Sequence, residues 1–219
     1  VERYGRVHRG IRSVFGFRMA LEGQHAKEEV NQMVFSVTKR RFTVDEYYTM
    51  ARSGILREDD RVELIEGEIT QMTPIGSRHM VCVNRTLDCF IAIQLEKRTI
   101  VSIQNPLRLD EFNEPEPDVA LLQPRADFYE NQHPGPADVL LIVEVSDTSL
   151  AYDRDVKVPL YARFGVPEVW IADVEGKTVT VYRVPSPQGY EEMKTYRAGQ
   201  TLSPLAFPEL TIPVQDILG

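Results

Sequence analysis

Hydrophobic and polar positions along the chain mark out a series of short elements. Thr43-Val44-Asp45-Glu46 places a hydroxyl at a helix start and a glutamate three residues on, the pattern of a capping box. The helix it opens should stop at Gly54. Residues 61–72 (RVELIEGEITQM) read as a β-hairpin turning at Glu66-Gly67. From Ser77 to about Lys97, Met80, Val83, Leu87, Phe90 and Ile91 recur at helical spacing, which predicts an amphipathic helix with that face inward. Residues 99–109 are extended and broken by Pro106.

Two runs, 117–122 (PDVALL) and 139–145 (VLLIVEV), are apolar without alternation, as strands covered on both faces are. A helix over 153–164 closes at Gly165, with Asp153 as N-cap and Pro159 tightening its start. Strands at 168–173, 178–184 and about 190–196 then form an antiparallel meander, and a proline-rich tail straps the domain. The order of elements predicts an α/β or α+β domain, a mixed β-sheet flanked by helices. Residues 1–32, rich in Arg and Gly and without periodicity, read as a flexible extension, with the domain proper at 33–219.

Composition narrows the function classes. The longest apolar stretch is too short to span a bilayer, so no membrane role is expected. Cys82 and Cys89, seven residues apart, should share one buried helix face; two lone thiols suit a reducing cytoplasm. The 219 residues carry 25 basic and 33 acidic side chains, net −8. Residues 1–41 hold nine Lys/Arg against four Asp/Glu, or +5, which leaves −8 − 5 = −13 on residues 42–219. So acidic a body argues against a tight, indiscriminate grip on a phosphate backbone. It is compatible with a carboxylate pair that is neutralised by a bound cation.

Such a pair is legible. Asp118 leads into one buried strand and Glu144 closes another. Placed side by side, their charges repel, and a divalent cation resolves the conflict. A cation in that position polarises a phosphate oxygen and lowers the pKa of bound water. Lys157, thirteen residues after Glu144 on the following helix, is the candidate to orient that water or steady the transition state.

Pro117-Asp118, then Glu144-Val145-Ser146, then Lys157 on a helix resembles the PD-(D/E)XK nuclease superfamily. More narrowly, the chain is similar to the bacterial family of restriction-endonuclease-like proteins long described as a domain of unknown function. ELIEGEI (63–69), the helix bearing His79, Gln104-Asn105-Pro106, EPEPDVALL (114–122), LIVEVS and YARFGVPEVWIAD (161–173) complete the likeness, over about residues 38–218. The resemblance implies a restriction-endonuclease-like fold and an endonuclease that uses Mg²⁺ or Mn²⁺ on DNA as a homodimer. It implies Asp118, Glu144 and the Val145 carbonyl as metal ligands. Glu63 would be the acid contributed from upstream, with Glu66 and Glu68 as rivals. His79, Gln104 and Ser146 are the residues expected to touch substrate. Ser146 stands where the superfamily motif has lysine, and Lys157 matches the migrated position. Two other readings stay open: a non-cleaving binding module on a nuclease fold, and a metal-dependent hydrolase of a small phosphorylated molecule.

Overall fold

The computed structural model describes residues 38–57 and 59–219, so the composition break at Met33 lies outside the described residues. Helix α1 (Val44–Arg52) opens on the expected capping box: Glu46 N–H donates to Thr43 Oγ1 and Thr43 N–H donates back to the Glu46 carboxylate. Strands β1 (Val62–Ile65) and β2 (Glu68–Gln71) form the hairpin. Its turn has Glu66 at φ 53° and Gly67 at φ 77°, the paired left-handed geometry that suits the twist of a hairpin. A Cβ on Gly67 would also come within 2.6 Å of Arg41 Cβ.

Helix α2 (Ser77–Leu95) leads to β3 (Ile100–Ile103), β4 (Val119–Leu122) and β5 (Val139–Ser146). Helix α3 follows, in three pieces: Leu150–Tyr152, a π-helical turn Asp153–Lys157, and Val158–Arg163. Strands β6 (Glu168–Asp173), β7 (Thr178–Ser186) and β8 (Gly189–Arg197) form the meander. The short pair β9 (Thr201–Leu202) and β10 (Ile212–Pro213), with helix α4 (Val214–Leu218), is the strap. The six-stranded sheet runs β3-β4-β5-β6-β7-β8, antiparallel except for β5 against β6.

Both faces of the sheet are covered, which is why β4 and residues 139–143 of β5 are apolar. On one face Leu141, Val143 and Val145 of β5 pack with Cys82, Val83 and Phe90 of α2 and Ile217 of α4. On the other, Ile142 packs with Leu160 and Tyr161 of α3. Glu144 and Ser146 share the face of Ile142, so they point towards α3.

Two expectations are corrected. The buried stripe of α2 is Cys82, Val83, Thr86, Phe90 and Ile93, whereas Met80 and Ile91 are 51% and 39% exposed. Thr86 enters the core because its hydroxyl donates to the Cys82 carbonyl four residues back, a local satisfaction that a hydropathy pattern does not register. Asp153 is not a helix N-cap. The helix begins three residues earlier, and the Asp153 amide already donates to the Ser149 carbonyl. Its carboxylate instead accepts the hydroxyls of Ser146 at 2.7 Å and Ser149 at 2.6 Å, tying the end of β5 to α3.

Candidate active site

Strands β4 and β5 are neighbours, and their ends bring Asp118 and Glu144 together: the Asp118 amide donates to Glu144 Oε2 at 3.4 Å. Asp118 is held on three sides. Its Oδ2 accepts from the Val145 amide at 2.9 Å and pairs with His79 Nε2 at 3.0 Å, while Oδ1 accepts from Gln104 Nε2 at 3.1 Å. Burial pushes this carboxyl up, but His79, with the Val145 amide and Gln104, outweighs it and holds Asp118 below its usual range. Gln104 takes a left-handed backbone (φ 50°) and also donates its amide to the Asp118 carbonyl, so it clamps Asp118 from both ends.

Glu144 is more deeply placed, 1% exposed. Its Oε1 accepts from the Tyr161 hydroxyl at 2.6 Å and from Lys157 Nζ at 3.2 Å. Burial, with the charges of Asp153 and Asp118, pushes its pKa up to about 8 against the opposing pull of Lys157 and Tyr161. The protein's own groups thus leave this carboxylate short of positive charge.

Lys157 stands between two acids, 3.0 Å from Glu63 Oε2 as well as 3.2 Å from Glu144. Burial disfavours the ammonium, yet Glu144, Glu63 and Asp153 around it raise its pKa. The π-helical turn that ends at Lys157 opens the backbone ladder by one residue, with the Val158 amide donating to the Asp153 carbonyl five residues back. Pro159, which has no N–H to offer, follows directly. Within this turn Asp153 and Lys157 are both buried on the sheet side.

The backbone adds a further oxygen. The Val145 N–H faces β4, and the carbonyl of the same residue faces the same way in a strand. Continuing the β4–β5 register from Val119↔Val143 places Val145 opposite Pro117, which has no N–H to donate. Asp118, Glu144, Glu63, His79, Arg61 and Lys157 all line one cleft of about 450 Å³. Asp118 and Glu144 bring their carboxylate oxygens into this cleft, and the Val145 backbone lies directly behind Asp118. Among the described residues no group of three His, Cys, Asp or Glu side chains forms a metal-binding cluster.

Ser146 is outside this cleft, 1% exposed with its hydroxyl spent on Asp153. Of the three acids in the hairpin, Glu63 is 1% exposed in the cleft, Glu66 pairs with Arg163 on the surface, and Glu68 is exposed. His79 and Gln104 both hold Asp118. Sequence reasoning missed Tyr161 as a partner of Glu144, because an aromatic in an apolar helix reads as core. Its spacing of four from Lys157 was the available signal. Glu116, whose amide donates to Glu63 Oε2 at 3.2 Å, and Arg61 on the cleft wall were also missed.

The sequence model of a family described as "Uma2: Putative restriction endonuclease" matches residues 44–215. The crystal structure of a protein titled a putative nuclease belonging to DUF820, from Anabaena variabilis ATCC 29413, superposes with a TM-score of 0.61. That likeness covers 81% of this chain and 97% of that one at 18% identity, and it speaks for the fold. No curated protein matches the sequence.

Proposed function

The chain belongs to the Uma2 family of putative restriction endonucleases, and on that premise we propose that it is a Mg²⁺- or Mn²⁺-dependent nuclease that hydrolyses phosphodiester bonds in DNA. The observation that carries this reading is the Lys157 ammonium, 3.0 Å from Glu63 and 3.2 Å from Glu144 beside Asp118. A lysine and a carboxylate pair thus meet in one cleft although the usual motif position holds Ser146.

Asp118, Glu144 and the Val145 carbonyl are the proposed ligands. They form an all-oxygen set suited to a hard divalent cation, and Glu144, buried and pushed up to about 8, has most to gain from one. With a divalent ion held there, the site would gain a Lewis acid able to polarise a phosphate oxygen and to lower the pKa of a bound water. Gln104 and His79 fix the Asp118 carboxylate, and Tyr161 fixes Glu144. Lys157 meets the charge that develops on the phosphate oxygens in the transition state. Glu63 positions Lys157, an outer-sphere part in the reaction. Arg61, on the cleft wall, offers a cation to a flanking phosphate.

The net −13 of residues 42–219 favours a second reading, a nuclease fold that binds without cutting. Metal binding with no cleavage of any DNA would select it. The free thiols Cys82 and Cys89 support a cytoplasmic setting. Among the described residues no helix is long and apolar enough to cross a membrane. We take the working unit to be a homodimer.

The ligand assignment has a direct test in Mn²⁺ titration calorimetry. Asp118→Asn keeps an acceptor for the Val145 amide but removes the charge, and it should weaken Mn²⁺ binding about a hundredfold. Equal binding by wild type and Asp118→Asn would remove Asp118 from the ligand set.

A further inference from the structure

The two edges of the central sheet are treated differently. At the β3 edge the Val101 amide donates to the Gln94 side chain of α2 at 2.9 Å, which blunts that edge. At the other, β8 runs nine residues from Gly189 to Arg197 and pairs only with β7 among the described strands. Residues 191–195 are exposed, Met193 at 67%. Residues 190–197 (YEEMKTYR) contain no proline or glycine that would break a new pairing. A long open edge of this kind is a template for another strand.

We propose that β8 pairs antiparallel with β8 of a second copy of this chain, about a two-fold axis at Met193. The register follows from symmetry and charge. Residues directly opposite in an antiparallel pair lie on the same face, and a two-fold axis perpendicular to the sheet preserves faces, so the axis must pass through a residue. An axis at Glu191 or Glu192 opposes two glutamates, and one at Lys194 opposes two lysines, both unfavourable. An axis at Thr195 sets Lys194 against Tyr196 and leaves no opposite-charge pair. With the axis at Met193, Glu192 faces Lys194 of the second copy and Lys194 faces its Glu192. Glu191 then faces Thr195, and Tyr190 faces Tyr196. This register pairs two opposite charges and opposes no like ones.

The result is a continuous twelve-stranded sheet. Because β8 runs in the same direction as β5, the two clefts lie at opposite ends of that sheet. The inference does not rest on the nuclease reading, since it uses only the sheet edge.

Sedimentation velocity on the full chain, over a range of protein concentrations, tests it by charge exchange. Wild type should sediment as a dimer at the upper concentrations. Glu192→Lys opposes lysines across the axis and Lys194→Glu opposes glutamates, so each alone should sediment as a monomer. Mixed one to one, the two variants regain both opposite-charge pairs and should form a heterodimer. The substituted side chains are exposed, and circular dichroism verifies that each variant is folded. A wild type that stays monomeric throughout would overturn the proposal, as would single variants that dimerise as well as wild type. Two monomeric variants that fail to associate when mixed would overturn the Met193 register.

Discussion

Replacing Glu144 with glutamine should lower single-turnover DNA cleavage by roughly a thousandfold while leaving the protein folded. Glutamine keeps the length of the side chain and an acceptor for the Tyr161 hydroxyl, which lies 2.6 Å from Glu144 Oε1. What it removes is the charge that the proposed cation needs. Thermal unfolding beside the cleavage assay separates loss of chemistry from loss of structure. A folded Glu144→Gln protein that cuts as fast as wild type would exclude Glu144 from the reaction.

Lys157→Met should act on both activity and stability. Methionine fills the space of the lysine stem, but Glu63 and Glu144 lose the ammonium that lies 3.0 and 3.2 Å away. Removing one partner of a buried ion pair leaves uncompensated charge, at a cost of about 3 kcal/mol or more. Protonation of Glu144 trims that cost, since its pKa is already pushed up to about 8. Urea unfolding should show the loss, and the loss should shrink in Mn²⁺, because carboxylates freed of the ammonium hold the ion more tightly than in wild type, and an ion bound to the folded state stabilises it. In single-turnover cleavage at saturating Mn²⁺ the rate should fall by about a hundredfold or more. Cleavage at the wild-type rate would show that Lys157 is a structural cation only.

The strands that carry the acids were legible because their signal is local. Pro117-Asp118 opens an apolar run and Glu144 closes another, and burial on both faces of β4 and β5 follows from the absence of alternation. The hairpin turn at Glu66-Gly67 and the capping box of α1 are equally local, set by backbone conformation and by a hydroxyl three residues from a carboxylate. What the sequence concealed depends on partners brought from elsewhere. Thr86 looks solvent-facing until its hydroxyl finds the Cys82 carbonyl. Asp153 looks like an N-cap until Ser146, from the preceding strand, donates to it. Met80 and Ile91 extend the apolar pattern of α2, but the helix turns a stripe through Phe90 and Ile93 to the sheet. In the site, the motif anticipated Lys157 near Glu144. That Glu63 and Tyr161 would meet the same lysine and glutamate depends on how α3 lies against the hairpin and β5.

Incubation of the purified full chain with supercoiled, linear and branched DNA in Mg²⁺ or Mn²⁺, with Glu144→Gln alongside, is the most direct test of a metal-dependent nuclease. Wild type should cut at least one of these substrates, chelation of the metal should stop the reaction, and the variant should cut roughly a thousandfold more slowly. Wild-type protein that binds Mn²⁺ yet leaves all three substrates intact would contradict the nuclease reading.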